Sequence, residues 1–201
     1  MKKIPFIAFC CAVLLVSPGC NSHKSKKLIV LQPLGNFPVK ETRLIRNGLL
    51  KIYNVDIIIA KSIPLPAIAY YQPMDRYSAD GLIDFLSGKK GGAYTIIGLT
   101  DRDVFTRKGV NKYWGIMGLG TLNAEASIVS TKRLHGGKET ESELVKLGAH
   151  ELGHNFGLPH CINQTCIMAD AEGHNNFYRE TGLCESCRKL LVAQGAIVYR
   201  Q

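Results

Sequence analysis

His150-Glu151-Leu152-Gly153-His154-Asn155-Phe156-Gly157-Leu158-Pro159-His160 is the stretch that decides how this chain is read. His150 and His154 are four residues apart, so on a helix they share one face and can share a metal. Glu151 follows the first of them and can lean over the open position of that metal, where water sits. Gly157 lets the chain leave the helix with a sharp reversal, because strained or left-handed backbone costs glycine little. Pro159 forbids the helix from resuming, and His160 is brought back as a third ligand. Three neutral imidazoles with one open position describe a catalytic zinc site, whereas structural sites are closed by four protein ligands. A shuffled chain of this composition gives HExxH roughly 0.01 times, and the added GxxH lowers that to on the order of 10⁻⁵.

The residues that follow narrow the reading. Cys161 abuts His160, Cys166 comes five later, Met168 two after that, and Cys184-Glu185-Ser186-Cys187 closes the set. HExxHxxGxxHC, then x4-C-x-M, then a distal CxxC, resembles the archaemetzincins, a metzincin family with a four-cysteine zinc site beside the catalytic one. The likeness is carried by residues 113–190. It implies that His150, His154 and His160 hold a catalytic zinc and that Glu151 is the general base. It further implies that Met168 is the methionine of the turn beneath the metal, and that Cys161, Cys166, Cys184 and Cys187 bind a structural zinc. The segment between Met168 and Cys184 is a couple of residues shorter than the family spacing, which bears on its shape more than on the ligands. Export to an oxidising compartment leaves disulfides open as an alternative for these four cysteines.

The first nineteen residues read as a signal peptide. Lys2 and Lys3 form a basic start, and Ile4 to Val16 is an apolar run too short to span a bilayer. Ser17-Pro18-Gly19 before Cys20 resembles a bacterial lipoprotein signal, with Cys20 the lipidated residue and 20–27 a lysine-rich tether. The resemblance implies a protein of the bacterial cell envelope, lipid-anchored and facing the periplasm or the outer surface; plain secretion and a retained anchor stay open. Of the formal charge of +9, two charges leave with the leader, and Lys24, Lys26 and Lys27 can lie against an anionic lipid surface. No basic stripe interleaved with aromatics appears, so no nucleic-acid partner is expected.

Residues 28–201 are read as one metzincin-like catalytic domain, with an N-terminal subdomain over 28–157 and a small cysteine-rich C-terminal one over 158–201. Apolar runs alternate with helix-like segments, the mark of an α/β fold. The expectation is a mixed, mostly parallel twisted sheet with packing helices and the zinc helix at the cleft. Strands are read at Lys27–Leu31, Val55–Ala60 (fully buried), Tyr94–Leu99 and Ala126–Thr131, and helices at Thr42–Tyr53 and from Ser78 to Leu86. Thr140 with Glu143 reads as a capping box at the start of the zinc helix. By the family likeness, Ala126–Thr131 is the edge strand that pairs with extended substrate; an internal strand with both neighbours paired stays open. His174 reads as a surface residue, and Asp101 and Asp103 as turn chemistry.

The function expected is hydrolysis of peptide bonds by a monomer carrying two zinc ions, one catalytic and one structural, on peptide or protein substrates. The competing expectation is an envelope zinc-containing module that binds peptide without turnover.

Overall fold

The computed structural model describes residues 26–135, 139–171 and 174–196. The signal peptide, Cys20 and most of the tether lie outside these residues. The elements are β1 (Lys27–Pro33), α1 (Val39–Ile52), β2 (Val55–Ile59), β3 (Tyr70–Tyr71), β4 (Arg76–Ser78), α2 (Ala79–Ser87) and β5 (Thr95–Thr100). They continue with β6 (Val104–Lys108), β7 (Asn111–Ile116), β8 (Gly118–Gly120), β9 (Ala126–Ser130), α3 (Thr140–Asn155) and α4 (Glu185–Ala193).

The main sheet runs in the order β2-β1-β5-β9-β8. Its pairs are parallel except the last, where β8 runs antiparallel to β9. Side chains alternate across a strand, and here both faces are buried. Ile29, Leu31, Ile97, Leu99 and Val129 belong to a core shared with α1 and α3, whereas Val30, Ile96, Ala126 and Ile128 belong to one built on α2. Two apolar faces covered by helices are what a parallel sheet requires. A second sheet, β3-β4-β6-β7, forms a rim that the sequence did not disclose.

Several expectations are corrected. β2 is an edge strand: Val55 and Ile57 are buried, but Ile58 and Ile59 face out. Ala126–Ser130 is internal, buried throughout and paired on both sides, so the edge is Gly118–Gly120. The capping box does not form. Glu139 is the residue that caps α3, without a side-chain bond. Thr140 donates to the carbonyl of His135, and Glu143 accepts from the His135 amide at 2.9 Å and from Asn175 at 3.2 Å. Glu143 therefore ties α3 to two loops. Ser78 does cap α2, its Oγ accepting from the Gly81 amide at 3.2 Å.

α3 is held on the sheet from both ends. Asn155, fully buried, accepts at Oδ1 from the Thr95 hydroxyl at 3.2 Å. Against α1, Gly48 lies where an added Cβ would run into the Val145 side chain. Beyond α4, the Ala196 carbonyl accepts from the Asn54 amide at 2.7 Å, so the end of the described chain is tied back between α1 and β2.

Gly48→Ala gains up to about 1 kcal/mol of helix propensity but overpacks the α1–α3 contact at a cost of about 1–3 kcal/mol. Net destabilisation is expected in denaturant unfolding. A neutral or stabilising result would show that the two helices can part without loss.

Candidate metal centres

The end of α3 builds much of the first site. Gly157 takes φ +85°, its amide bonds the His154 carbonyl at 2.8 Å, and the Leu158 amide bonds the Gly153 carbonyl at 3.0 Å. This is a Schellman motif, which satisfies the last carbonyls of the helix. It also brings the Leu158 carbonyl to 2.7 Å from Nδ1 of His154. The Ile167 carbonyl lies 2.7 Å from Nδ1 of His150.

A carbonyl only accepts, so both rings carry their proton on Nδ1. Their Nε2 atoms are then bare lone pairs, and they face each other at 3.0 Å. Two acceptors at that distance repel unless a cation stands between them. His160 completes the group: its ring centroid is 5.4 Å from that of His150 and 4.8 Å from that of His154. Its Nδ1 is 3.3 Å from Oδ2 of Asp170, a carboxylate partner of the kind that orients metal-bound imidazoles. The ligand atoms of the three histidines lie within 4.8 Å of one another, so the donor set fits zinc. Burial, the neighbouring imidazoles adding to it, lowers His150 to about 4. Burial likewise lowers His154. Both rings are therefore neutral and ready to bind at pH 7.

Glu151 is 4% exposed. Burial pushes its carboxyl up to about 8, and the Gly120 amide, which it accepts from, draws it back. β8 passes directly over it. A Cβ on Gly118 would collide with Oε1 of Glu151, and one on Gly120 would come 2.9 Å from its backbone oxygen. The glycines of this edge strand are thus explained by close approach to the carboxylate. Met168 is fully buried and packs under the helix where Gly153 leaves room; a Cβ there would strike its Sδ.

The second group is Cys161, Cys166, Cys184 and Cys187, whose sulfurs also lie within 4.8 Å of one another. Cys161 and Cys184 are 3.6 Å apart and Cys166 and Cys187 are 3.8 Å apart. Four sulfurs around one zinc at about 2.3 Å stand about 3.8 Å apart, so this arrangement fits a tetrahedral ion. Burial raises the thiols of Cys166 and Cys187. At Cys184 burial also raises the thiol, but the Cys187 amide and neighbouring thiols outweigh it and bring it down to about 7. The Cys184 thiolate can form unaided; Cys166 and Cys187 need a cation.

His150, Glu151, His154 and His160 line a cleft of about 760 Å³, with β8, the β6–β7 rim, residues 169–171, Asn175, Phe177 and Glu180 as its other walls. His174 is exposed, as the sequence suggested. Asp103 does more than shape a turn, holding Arg76 at 2.7 Å and Arg133 at 2.7 and 2.9 Å. The sequence did not disclose Asp170 or the buried Glu180 as cleft residues.

The family model for peptidase family M54 matches residues 51–193. The chain belongs to that family, the archaemetzincins. An archaemetzincin of Haloquadratum walsbyi is 30% identical over 82% of this chain and 99% of its own length. One from Natronomonas pharaonis is 31% identical over 80% and 96%. The crystal structure of the Methanopyrus kandleri archaemetzincin superposes with a TM-score of 0.73 at 26% identity, over 86% of this chain and 97% of that one. This archaemetzincin is accordingly a zinc metallopeptidase with a mixed α/β fold.

In the metal-free chain the sign of the pH effect follows from these shifts. A carboxyl whose folded pKa is raised contributes stability in full below its ordinary 4.5 and loses it as pH rises towards about 8. The lowered His150 works oppositely, but only between about 4 and 6.5. From pH 6.5 to 8 Glu151 therefore costs on the order of 2 kcal/mol. Glu151→Gln is expected to flatten that part of a Tm-against-pH curve for metal-free protein; identical slopes would refute the assignment.

Proposed function

We propose that this archaemetzincin hydrolyses peptide bonds with Glu151 as general base, on zinc held by His150, His154 and His160. The observation that carries the reading is the pair of imidazole lone pairs facing each other at 3.0 Å beside a buried carboxylate in an open cleft. Zinc, when bound there, supplies Lewis acidity and lowers the pKa of its water towards neutrality. Glu151 takes a proton from the attacking water and delivers it to the departing amine. The positive charge of the ion opposes the burial effect at Glu151 and restores the carboxylate that a base needs. Asp170 and the carbonyls of Ile167 and Leu158 keep the rings turned towards the open position.

Extended substrate lies along β8. That strand pairs only with β9 among the described residues and borders the cleft, so its outer edge can accept one more strand. The cysteines hold a second, structural zinc, which shapes the loop bearing His160. A binding module without turnover would leave the buried carboxylate of Glu151 without a task. The leader and tether support a lipid-anchored envelope peptidase, and Cys20→Ala is expected to abolish palmitate labelling and release the protein from membranes.

Zinc per chain, counted together with free thiols, tests the metal assignment: two zinc ions with protected thiols are expected. One zinc and no free thiols would put disulfides at the cysteines. Glu151→Ala is expected to keep its zinc and lose peptide-library cleavage by about 10²–10⁴-fold. Cleavage at the parent rate would remove Glu151 from the mechanism.

A further inference from the structure

One wall of the cleft carries a charge that the proposed chemistry does not use. Glu180 lines the cleft, is only 6% exposed, and its Oε2 has no hydrogen-bond partner among the described residues. Its place is fixed by the backbone. The Glu180 amide bonds the Phe177 carbonyl at 3.2 Å, and the next amide bonds the Thr165 carbonyl at 2.9 Å. Buried polar atoms in folded proteins are almost always paired, and an unpaired one calls for a reason.

The neighbouring cation does not supply the missing partner. Lys146 acts on Glu180 through space, yet its Nζ donates to the Phe177 carbonyl at 2.7 Å, and no ion pair joins it to Glu180. Burial accordingly pushes the Glu180 carboxyl up to about 7, with Lys146 drawing it back. The other cations of the cleft are occupied or on a different wall. Arg133 is held by both oxygens of Asp103, while Arg107 and Lys108 are on β6, Lys108 lying over the Trp114 ring at 5.2 Å. Leu147 and Phe177 line the same cleft and are buried apolar side chains.

We infer that Glu180 determines specificity: the subsite lined by Leu147, Phe177 and Glu180 takes a lysine or arginine side chain of the substrate. The inference rests on the peptidase reading above and names the class of residue it prefers. A long basic side chain buries its aliphatic stem on the apolar residues and sets its charged tip against the carboxylate. An apolar side chain leaves that carboxylate unpaired in a drier site, and an acidic one is repelled by it. Sites built to pair a polar group discriminate strongly against ligands that lack it.

The test compares hydroxamate-terminated peptides on the zinc-loaded full chain by calorimetry at pH 8. Each pair carries lysine or norleucine, which differ only in the ammonium, at one of the three positions nearest the chelating group. At one position the lysine probe is expected to bind at least about tenfold more tightly. Glu180→Gln should bring that ratio to within about twofold of unity, with the lysine probe weakened and zinc content unchanged. A parent ratio near one at all three positions overturns the inference and leaves the peptidase reading standing. Equal weakening of both probes by Glu180→Gln overturns it too, since it marks a scaffold role. Binding of neither probe sinks the peptidase reading and the inference together.

Discussion

Three consecutive residues, Cys166, Ile167 and Met168, hold the two candidate metal centres in one register. The Cys166 sulfur faces Cys187 and accepts from the amides of Met168 and Cys184 at 3.5 and 3.3 Å. The Ile167 carbonyl fixes the proton on Nδ1 of His150. Met168 fills the space under Gly153, and its carbonyl accepts from the Cys161 amide at 2.7 Å. Because His160 precedes Cys161, the third imidazole hangs from the same strip. A displacement of this segment would disturb the thiols, the tautomer of His150 and the floor of the zinc helix at once.

Burial does opposite things to the groups in the cleft, and both are useful. It keeps the imidazoles neutral, which a metal ligand must be, and it holds the carboxyls of Glu151 and Glu180 above their ordinary range. A cation between the histidines resolves the first conflict and relieves Glu151. Glu180 lies on the wall of the same cleft, where a charge brought by a ligand is the natural complement.

The zinc helix and its ligands were legible because their geometry is local. Four-residue spacing, a glycine at the Schellman position and a proline beyond it mean nearly the same thing in any surroundings. The four cysteines were legible as a group, although only the fold shows their sulfurs gathered in one cluster. Thr140 and Glu143 misled, since a capping pair is a local preference and His135 and Asn175 offered Glu143 tertiary partners. The edge strand was misplaced for a related reason. Gly118-Leu119-Gly120 has almost no strand propensity, and its pairing depends on β9 below it and on Glu151, which only glycine lets pass. The family likeness assigned the edge to Ala126–Thr131, and the three-residue strand outside it has no pattern of its own. Glu180 had no signature at all, because its burial is made by residues distant in sequence.

The hydrogen bond from the Asn54 amide to the Ala196 carbonyl gives the region after α3 a second fastening. The first is the Schellman turn at Gly157; the last is this clasp on the far side of α4. Between these two anchors, Cys166–Met168 cross-links the segment in its middle. The segment is also held to α3 itself, where the Ile167 carbonyl meets His150 and the Phe177 carbonyl accepts from Lys146. Loss of this region's fold would therefore withdraw His160 together with the Ile167 and Leu158 carbonyls that orient His150 and His154.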